Sequence, residues 1–152
     1  MYRILFLLTV IFLSVPAHAA TSEHATKDEA VAMVDKAVRF IQENGADKAY
    51  AAFDNRAGPF VDRDLYVVVY DLNGKCLAHG ANLKLIGMDL LDAQDVDGKF
   101  YVKERVETAK TKDGYWLDYK FADPVTKKLE PKSTYCRRLN ETVVCAGVYS
   151  SP

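Results

Sequence analysis

The chain has 152 residues, a formal net charge of −1, 49% hydrophobic residues and three cysteines. This length and composition predict one globular domain with a buried core rather than a disordered or fibrous protein. Because acidic and basic residues nearly balance and no basic stripe is present, the composition argues against nucleic acid as a partner.

The first residues have the pattern of an export signal. Arg3 precedes an apolar run over residues 4–15, and small residues follow at Ala17 and Ala19. The run is shorter than the about 20 residues that a membrane-spanning helix needs. We therefore predict a signal peptide over residues 1–19, a single domain over residues 20–152, and a periplasmic or secreted location. An uncleaved membrane anchor is the alternative.

Two helices are predicted next. Thr26 and Glu29 match a capping box, in which each side chain satisfies a backbone N–H of the other residue. Apolar residues then follow at helical spacing: Val31, Val34, Val38 and Ile41. This pattern predicts a long amphipathic helix over residues 28–43, and a second helix follows over residues 47–55.

The remainder of the chain is predicted to form mostly strands. The run Leu-Tyr-Val-Val-Val-Tyr over residues 65–70 is the clearest strand, and a turn leads to a second strand over residues 75–79. A helix over residues 99–110 precedes strands over residues 115–121, 132–139 and 142–149. Hairpin connections predict an α+β, PAS-like domain, with the long N-terminal helix packed on a five-stranded antiparallel sheet.

The last two strands predict a disulfide bond. If Asn140 and Glu141 form a two-residue turn, Cys136 lies opposite Cys145 in a pair without backbone hydrogen bonds, where side chains approach most closely. The expected Cα separation of about 4.5 Å suits a disulfide. Cys76 is then left as a buried free thiol.

Metal binding and catalysis are not predicted. The scattered cysteines with His24 or His79 lack the ligand spacing of a zinc site. Asp95, Asp97 and Glu104 match part of a calcium loop, but Ala93 occupies its first ligand position, so the segment is read as a turn. No nucleophile motif or phosphate loop is present, so neither an enzyme nor a cofactor is expected.

Five segments, taken in order, resemble single Cache domains, the extracytoplasmic sensors of chemoreceptors and sensor kinases. They are residues 60–74, 77–87, 95–99, 114–119 and 131–135. The resemblance implies a ligand such as acetate, propionate or pyruvate. No signalling segment follows residue 152, so we expect a binding module without its own output. The alternative is an accessory protein that docks onto a membrane sensor or enzyme without a ligand.

The resemblance also indicates the site. It makes Lys132 the candidate anion anchor and places His79 at the pocket, whereas each could otherwise simply end a strand. Aromatic residues with polar tips suit the walls of such a pocket: Tyr66, Trp116, Tyr119 and Tyr135. Strand alternation separates Trp116 from Tyr119, so the sequence leaves open which of them faces the ligand.

The hairpin register makes the site more specific. It sets Thr134 opposite Gly147, and the missing side chain of Gly147 predicts an open space beside Thr134 for a small ligand, where Lys132 can reach one ligand carboxylate. We expect this pocket on the sheet face away from the long helix.

Overall fold

The structure, a computed structural model, describes residues 24–150. The predicted signal peptide over residues 1–19 lies outside this range. Between residues 24 and 150, none of the helices combines the length and the hydropathy that a membrane span requires.

Residues 24–150 form three α-helices, one 3-10 turn (Leu83–Leu85) and six strands, and the bounds of the predicted elements lie within a few residues of the observed ones. The helices are α1 (Lys27–Asn44), α2 (Ala46–Asp54) and α3 (Tyr101–Ala109). The strands are β1 (Val61–Asp62), β2 (Leu65–Asp71), β3 (Cys76–His79), β4 (Gly114–Ala122), β5 (Leu129–Leu139) and β6 (Thr142–Tyr149).

The strands form one antiparallel sheet in the order β1-β2-β6-β5-β4, and β3 also pairs with β2. The predicted α+β class and the packing of the long helix on this sheet are confirmed. The sheet has six strands rather than five, because β1 is an additional strand. Two residues cannot display an alternating pattern, so this strand could not be predicted from the sequence.

Helix α1 begins as the capping box predicts. The Thr26 N–H donates to Glu29 Oε2 (2.6 Å), and the Glu29 N–H donates to Thr26 Oγ1 (3.3 Å). The apolar face of the helix is buried against the sheet through Val34 and Val38, which belong to a core with Val67 and other residues of the sheet. We call this cluster the α1-side core.

Strand β2 is buried on both faces, which explains its unbroken apolar sequence. Leu65, Val67 and Val69 point into the α1-side core. Tyr66 and its alternate neighbours point into a second cluster, packed against α3, which we call the α3-side core. The sheet therefore separates two cores, and the α3-side core lies away from α1.

The terminal hairpin has the predicted register. Cys136 pairs with Cys145 at a Cα separation of 4.2 Å, and the disulfide bond is present. Cys76 is buried and free, as predicted. Burial raises the pKa of its thiol to about 12, so it is unreactive at neutral pH.

Candidate functional site

Lys132 is a buried residue and does not form a solvated strand end. Its exposure is 3%, and it points into the α3-side core, the predicted face of the sheet. The prediction of an open space beside Gly147 is wrong, because Thr134 and Lys132 already fill it. A Cβ atom added to Gly147 would lie 2.3 Å from Thr134 Oγ1 and 2.7 Å from Lys132 Cε. The missing side chain of Gly147 makes room for Lys132 itself.

The Lys132 ammonium group is held by two phenols. Its Nζ donates to the hydroxyls of Tyr66 (2.7 Å) and Tyr149 (3.2 Å). Tyr149 donates its single proton to the Ala122 carbonyl oxygen (2.8 Å), so Tyr66 must be the donor in the 3.0 Å contact between the two hydroxyls. Nζ also lies 3.9 Å from the centre of the Tyr66 ring, a favourable cation–π geometry.

Burial is costly for this cation. It lowers the pKa of Lys132 to about 8, and the nearby charge of Arg105 acts in the same direction. At neutral pH the group is still mostly charged. Two of its three N–H donors are used by Tyr66 and Tyr149, which leaves one for a further acceptor.

His79 lies behind Tyr66 as a neutral ring. The two rings stack with centres 5.1 Å apart. His79 Nδ1 accepts from the backbone N–H groups of Asn82 (3.0 Å) and Ala81 (3.3 Å), which places the proton on Nε2. Burial, with the charges of Lys132 and Arg105, lowers the His79 pKa to about 3. The ring is therefore a fixed neutral donor.

A second buried cation lies in the α3-side core. Arg105 of α3 is 0% exposed, and its Nη2 donates to Tyr119 Oη (3.1 Å). Its Nε and Nη1 atoms are buried without a hydrogen-bond partner. The Thr134 hydroxyl also contacts Tyr119 Oη (3.4 Å). Burial alone would raise the Tyr119 pKa, but the positive charges of Lys132 and Arg105 hold it below its usual value.

Sequence reasoning missed Arg105, although a signal was available. Val102, Val106 and Ala109 form the apolar face of α3, and all three are buried. Arg105 lies on the same face, since it follows Val102 by three positions and precedes Ala109 by four. A cation inside an apolar stripe is unusual, because an unpaired buried charge is costly.

Two cavities open beside the predicted site residues, one lined by Tyr66 and His79 and the other by Tyr119 and Lys132, whereas Arg105 lines neither. The first, which we call the His79 cavity, has a volume of about 290 Å³, and Tyr66, His79, Phe121, Arg56, Lys127 and Asp123 are among its lining residues. The second, the Lys132 cavity, measures about 280 Å³, and its lining includes Tyr119, Lys132, Lys120, Asp95, Asp97 and Asp118. Three lysines balance three carboxylates in the lining of the second cavity, whereas two cations face one carboxylate in the first, so the first is the more favourable one for an anion.

Trp116 and Tyr135 lie on the other face of the sheet. They pair across β4 and β5, with ring centres 5.3 Å apart, and Tyr135 packs against the α1-side core. The Lys27 ammonium group lies 4.9 Å from the Trp116 ring. The structure thus brings Tyr66, His79, Tyr119 and Lys132 together but separates Trp116 and Tyr135 from them.

The calcium-like segment forms a turn, as expected. Asp95 Oδ1 accepts from the N–H groups of Asp97 and Lys99 (both 2.9 Å), and Oδ2 accepts from the Lys120 N–H (3.0 Å). These bonds lower the pKa of Asp95, and the bond from the Lys120 N–H contributes most to this shift. Its oxygens are occupied by backbone donors.

Comparisons with known proteins identify the family. The family model described as Single Cache domain 2 matches residues 8–151. A methyl-accepting chemotaxis protein from Vibrio parahaemolyticus RIMD 2210633 is similar in structure, with a TM-score of 0.69 and 26% identity over 81% of this chain and 87% of that chain. No curated protein matches the sequence significantly.

Two further solved structures share the fold. A periplasmic sensor domain of a chemotaxis protein has a TM-score of 0.65 and 24% identity, over 82% of this chain and 90% of that chain. A Cache chemosensory domain solved to explain carboxylic acid recognition has a TM-score of 0.69 and 19% identity, over 82% of this chain and 92% of its own. Since the family model spans nearly all of the sequence, the chain belongs to the single Cache domain 2 family of sensor domains.

Proposed function

We propose that this Cache domain binds a small carboxylate, such as acetate, propionate or pyruvate, outside the cytoplasm. The observation that carries the proposal is a pair of buried cations on one face of the sheet. Lys132 and Arg105 are 3% and 0% exposed. Within residues 24–150, no ion pair joins either of them to a carboxylate.

An anion would compensate for this arrangement. Removing a charge from water costs several kcal/mol unless a counter-charge is supplied. Arg105 cannot lose its proton at physiological pH, and two of its nitrogens have no acceptor. A small carboxylate offers two acceptor oxygens and one negative charge, which is the chemistry that both cations lack.

Four predicted residues form the proposed site. Lys132 supplies charge, and Tyr66 and Tyr119 supply hydroxyls that contact the two cations. His79 supplies a neutral Nε2–H donor at the wall. Trp116 and Tyr135 are left out of the proposal, because their side chains lie on the α1 side of the sheet.

The His79 cavity is the proposed entrance. Arg56 and Lys127 contribute positive charge to its lining against the single carboxylate of Asp123. A volume of about 290 Å³ lies at the lower end of ligand cavities, which suits a small molecule. A Cache domain that recognises a carboxylic acid shares the fold, but at 19% identity it supports the fold alone, so the argument rests on the cations.

Titration calorimetry with acetate, propionate and pyruvate tests the proposal. We expect binding to the wild type and a loss of about ten- to a hundredfold in affinity for Lys132→Met, because a charge-assisted hydrogen bond contributes about 1.5–3 kcal/mol. Methionine keeps the length of the buried side chain. Replacing buried charges by apolar side chains of similar volume is often neutral or stabilising, and Tyr66 and Tyr149 keep their hydrogen bond to each other, so this variant should fold.

Lys110→Met is the matched control. Lys110 is exposed, pairs with Glu107 and lies away from both cavities, so its replacement should leave binding unchanged. Equal affinities of wild type and Lys132→Met would remove Lys132 from the site. If none of the three acids bound to the wild type, the accessory-protein alternative would be favoured.

A further inference from the structure

A second cluster of ionisable side chains lies outside the proposed carboxylate site. His24 precedes α1, Asp123 follows β4, and Glu130 belongs to β5. One potential ligand atom from each of the three lies within 4.8 Å of the other two. Asp64, fully buried, adjoins them, with its Oδ2 3.2 Å from His24 Nδ1.

Two buried carboxylate oxygens point into this cluster without a hydrogen bond. Asp123 is 1% exposed; its Oδ1 accepts from the N–H groups of Val125 (2.5 Å) and Thr126 (3.0 Å), whereas Oδ2 has no donor. Glu130 is 7% exposed; its Oε1 accepts from the Thr126 hydroxyl (2.9 Å), whereas Oε2 has no donor. Buried carboxylate oxygens in native proteins are almost always paired.

Among the described residues, little positive charge lies within ion-pair distance of these carboxylates, although the charge of the more distant Lys132 ammonium group also acts on Asp64 and Asp123. In the part of the chain that the structure describes, the one basic side chain that forms an ion pair with any of these three carboxylates is His24, at 3.2 Å from Asp64 and 3.6 Å from Asp123. Three buried carboxylates around one imidazole leave an excess of negative charge, which a bound cation would neutralise.

We propose that His24, Asp123 and Glu130 bind a divalent transition-metal ion of the Zn²⁺ or Mn²⁺ type. An imidazole nitrogen combined with two carboxylate oxygens favours these ions over Ca²⁺ and Mg²⁺, which prefer oxygen ligands alone. With metal–ligand distances of about 2.0–2.2 Å, neighbouring ligand atoms lie about 3–3.5 Å apart, so ligand atoms that are now up to 4.8 Å apart would approach each other by up to about 1.3–1.8 Å on binding.

Asp64 has a positioning role in this site. Both of its oxygens are already used: Oδ1 accepts from the Ala25 N–H (2.7 Å) and Oδ2 from the Tyr149 N–H (3.2 Å). Asp64 Oδ2 also contacts His24 Nδ1 (3.2 Å), the ring nitrogen that faces Asp123 Oδ2 (3.6 Å), and so holds the imidazole ring against the cluster.

The metal would join distant parts of the chain. His24 lies at the entry to α1, whereas Asp123 and Glu130 flank the turn between β4 and β5. Asp123 also lines the His79 cavity. A bound ion would therefore fasten the start of α1 to the sheet directly beside the proposed ligand entrance.

Metal binding is tested on the tag-free exported protein after treatment with EDTA and desalting. Calorimetry with ZnCl₂ and MnCl₂, and elemental analysis after dialysis, should show one ion per chain. His24→Gln, Asp123→Asn and Glu130→Gln should each bind at least tenfold more weakly. Glu107→Gln, an exposed carboxylate on α3, is the control and should bind like the wild type.

Thermal unfolding separates metal binding from a folding defect. Without metal, Glu130→Gln should be at least as stable as the wild type, because it removes a buried charge that lacks a partner. With Zn²⁺ or Mn²⁺, the melting temperature should rise for the wild type and stay unchanged for Glu130→Gln, since only the native state of the wild type binds the ion.

Three results would overturn the proposal. The first is no binding of either ion by the wild type, and the second is unchanged binding by all three ligand variants. The third is binding of Ca²⁺ or Mg²⁺ alone, which would contradict the assignment to a transition metal. Each is independent of carboxylate binding, because no organic acid is present in these measurements.

Discussion

Gly147 offers the sharpest test of how Lys132 is accommodated. A methyl group at this position would lie 2.3 Å from Thr134 Oγ1, 2.7 Å from Lys132 Cε and 3.0 Å from the Ser133 carbonyl oxygen. These distances are shorter than van der Waals contact, and the Ser133 carbonyl oxygen belongs to the backbone, so it cannot rotate away as a side chain can. We therefore expect Gly147→Ala to destabilise the domain by about 1–3 kcal/mol, the usual cost of overpacking a core.

Intrinsic strand preference predicts the opposite sign. Glycine in a strand is less favourable than alanine by about 0.5–1 kcal/mol, so the same substitution would stabilise an unconstrained site. Urea unfolding of the wild type and Gly147→Ala distinguishes the two outcomes. Gly114→Ala on β4 is the control, because its new methyl group would meet mainly the Tyr135 hydroxyl (2.6 Å), the movable end of a side chain.

A double-mutant cycle locates the clash. Thr134→Ala removes the nearest atom, Oγ1, so Gly147→Ala should cost less in that background than in the wild type. The interpretation would be refuted if Gly147→Ala were as stable as the wild type. Purely additive free energies in the cycle would mean that Thr134 does not limit the space.

Three further predictions concern pH, the disulfide bond and export. Burial lowers the His79 pKa to about 3 in the folded state, so the contribution of neutral His79 to stability should be fully present above pH 6.5. As the pH falls from 6.5 towards 3, the free energy of unfolding should decrease by about 1.4 kcal/mol per pH unit. Urea unfolding at pH 7 and pH 5 should show this loss in the wild type but not in His79→Asn, and equal losses in both proteins would contradict the prediction. The Cys136–Cys145 disulfide bond closes a loop of about ten residues, so its reduction should lower the free energy of unfolding by about 2–3 kcal/mol. Peptide mapping that found Cys76 in a disulfide bond instead would be inconsistent with the structure. N-terminal sequencing of the exported protein should begin at Ala20, and a sequence that begins at Met1 would disprove cleavage.

Four of the six predicted site residues lie together, and the position of Tyr135 on the other face could have been predicted from the sequence. Tyr66, His79, Tyr119 and Lys132 were named from the sequence, and they lie together on one face of the sheet. Tyr135 is three residues from Lys132 on the same strand, so alternation alone places the two side chains on opposite faces. The polar-tipped ring of Tyr135 suits a pocket wall, but its position in the strand places it on the α1 side of the sheet.

The burial of Lys132 and the unpaired nitrogens of Arg105 were harder to predict from the sequence than the residues of the site. A lysine after a proline at the start of a strand is usually solvated, and only the packing of Tyr66, Tyr149 and Phe121 around it makes it a core residue. The sequence placed Arg105 on the apolar face of α3, but its unpaired nitrogens become evident only when the sheet closes over it.

The sequence by itself determined every element except β1 and a short 3-10 turn, together with the hairpin register and the disulfide bond, because capping, alternation and turn geometry depend on residues within about ten positions of each other. Tertiary structure alone decided which charges meet. His24 and Asp64 are 40 residues apart in the chain, and Lys132 and Tyr66 are 66 apart. Contacts at such separations depend on how the sheet and helices pack, and no local pattern records them.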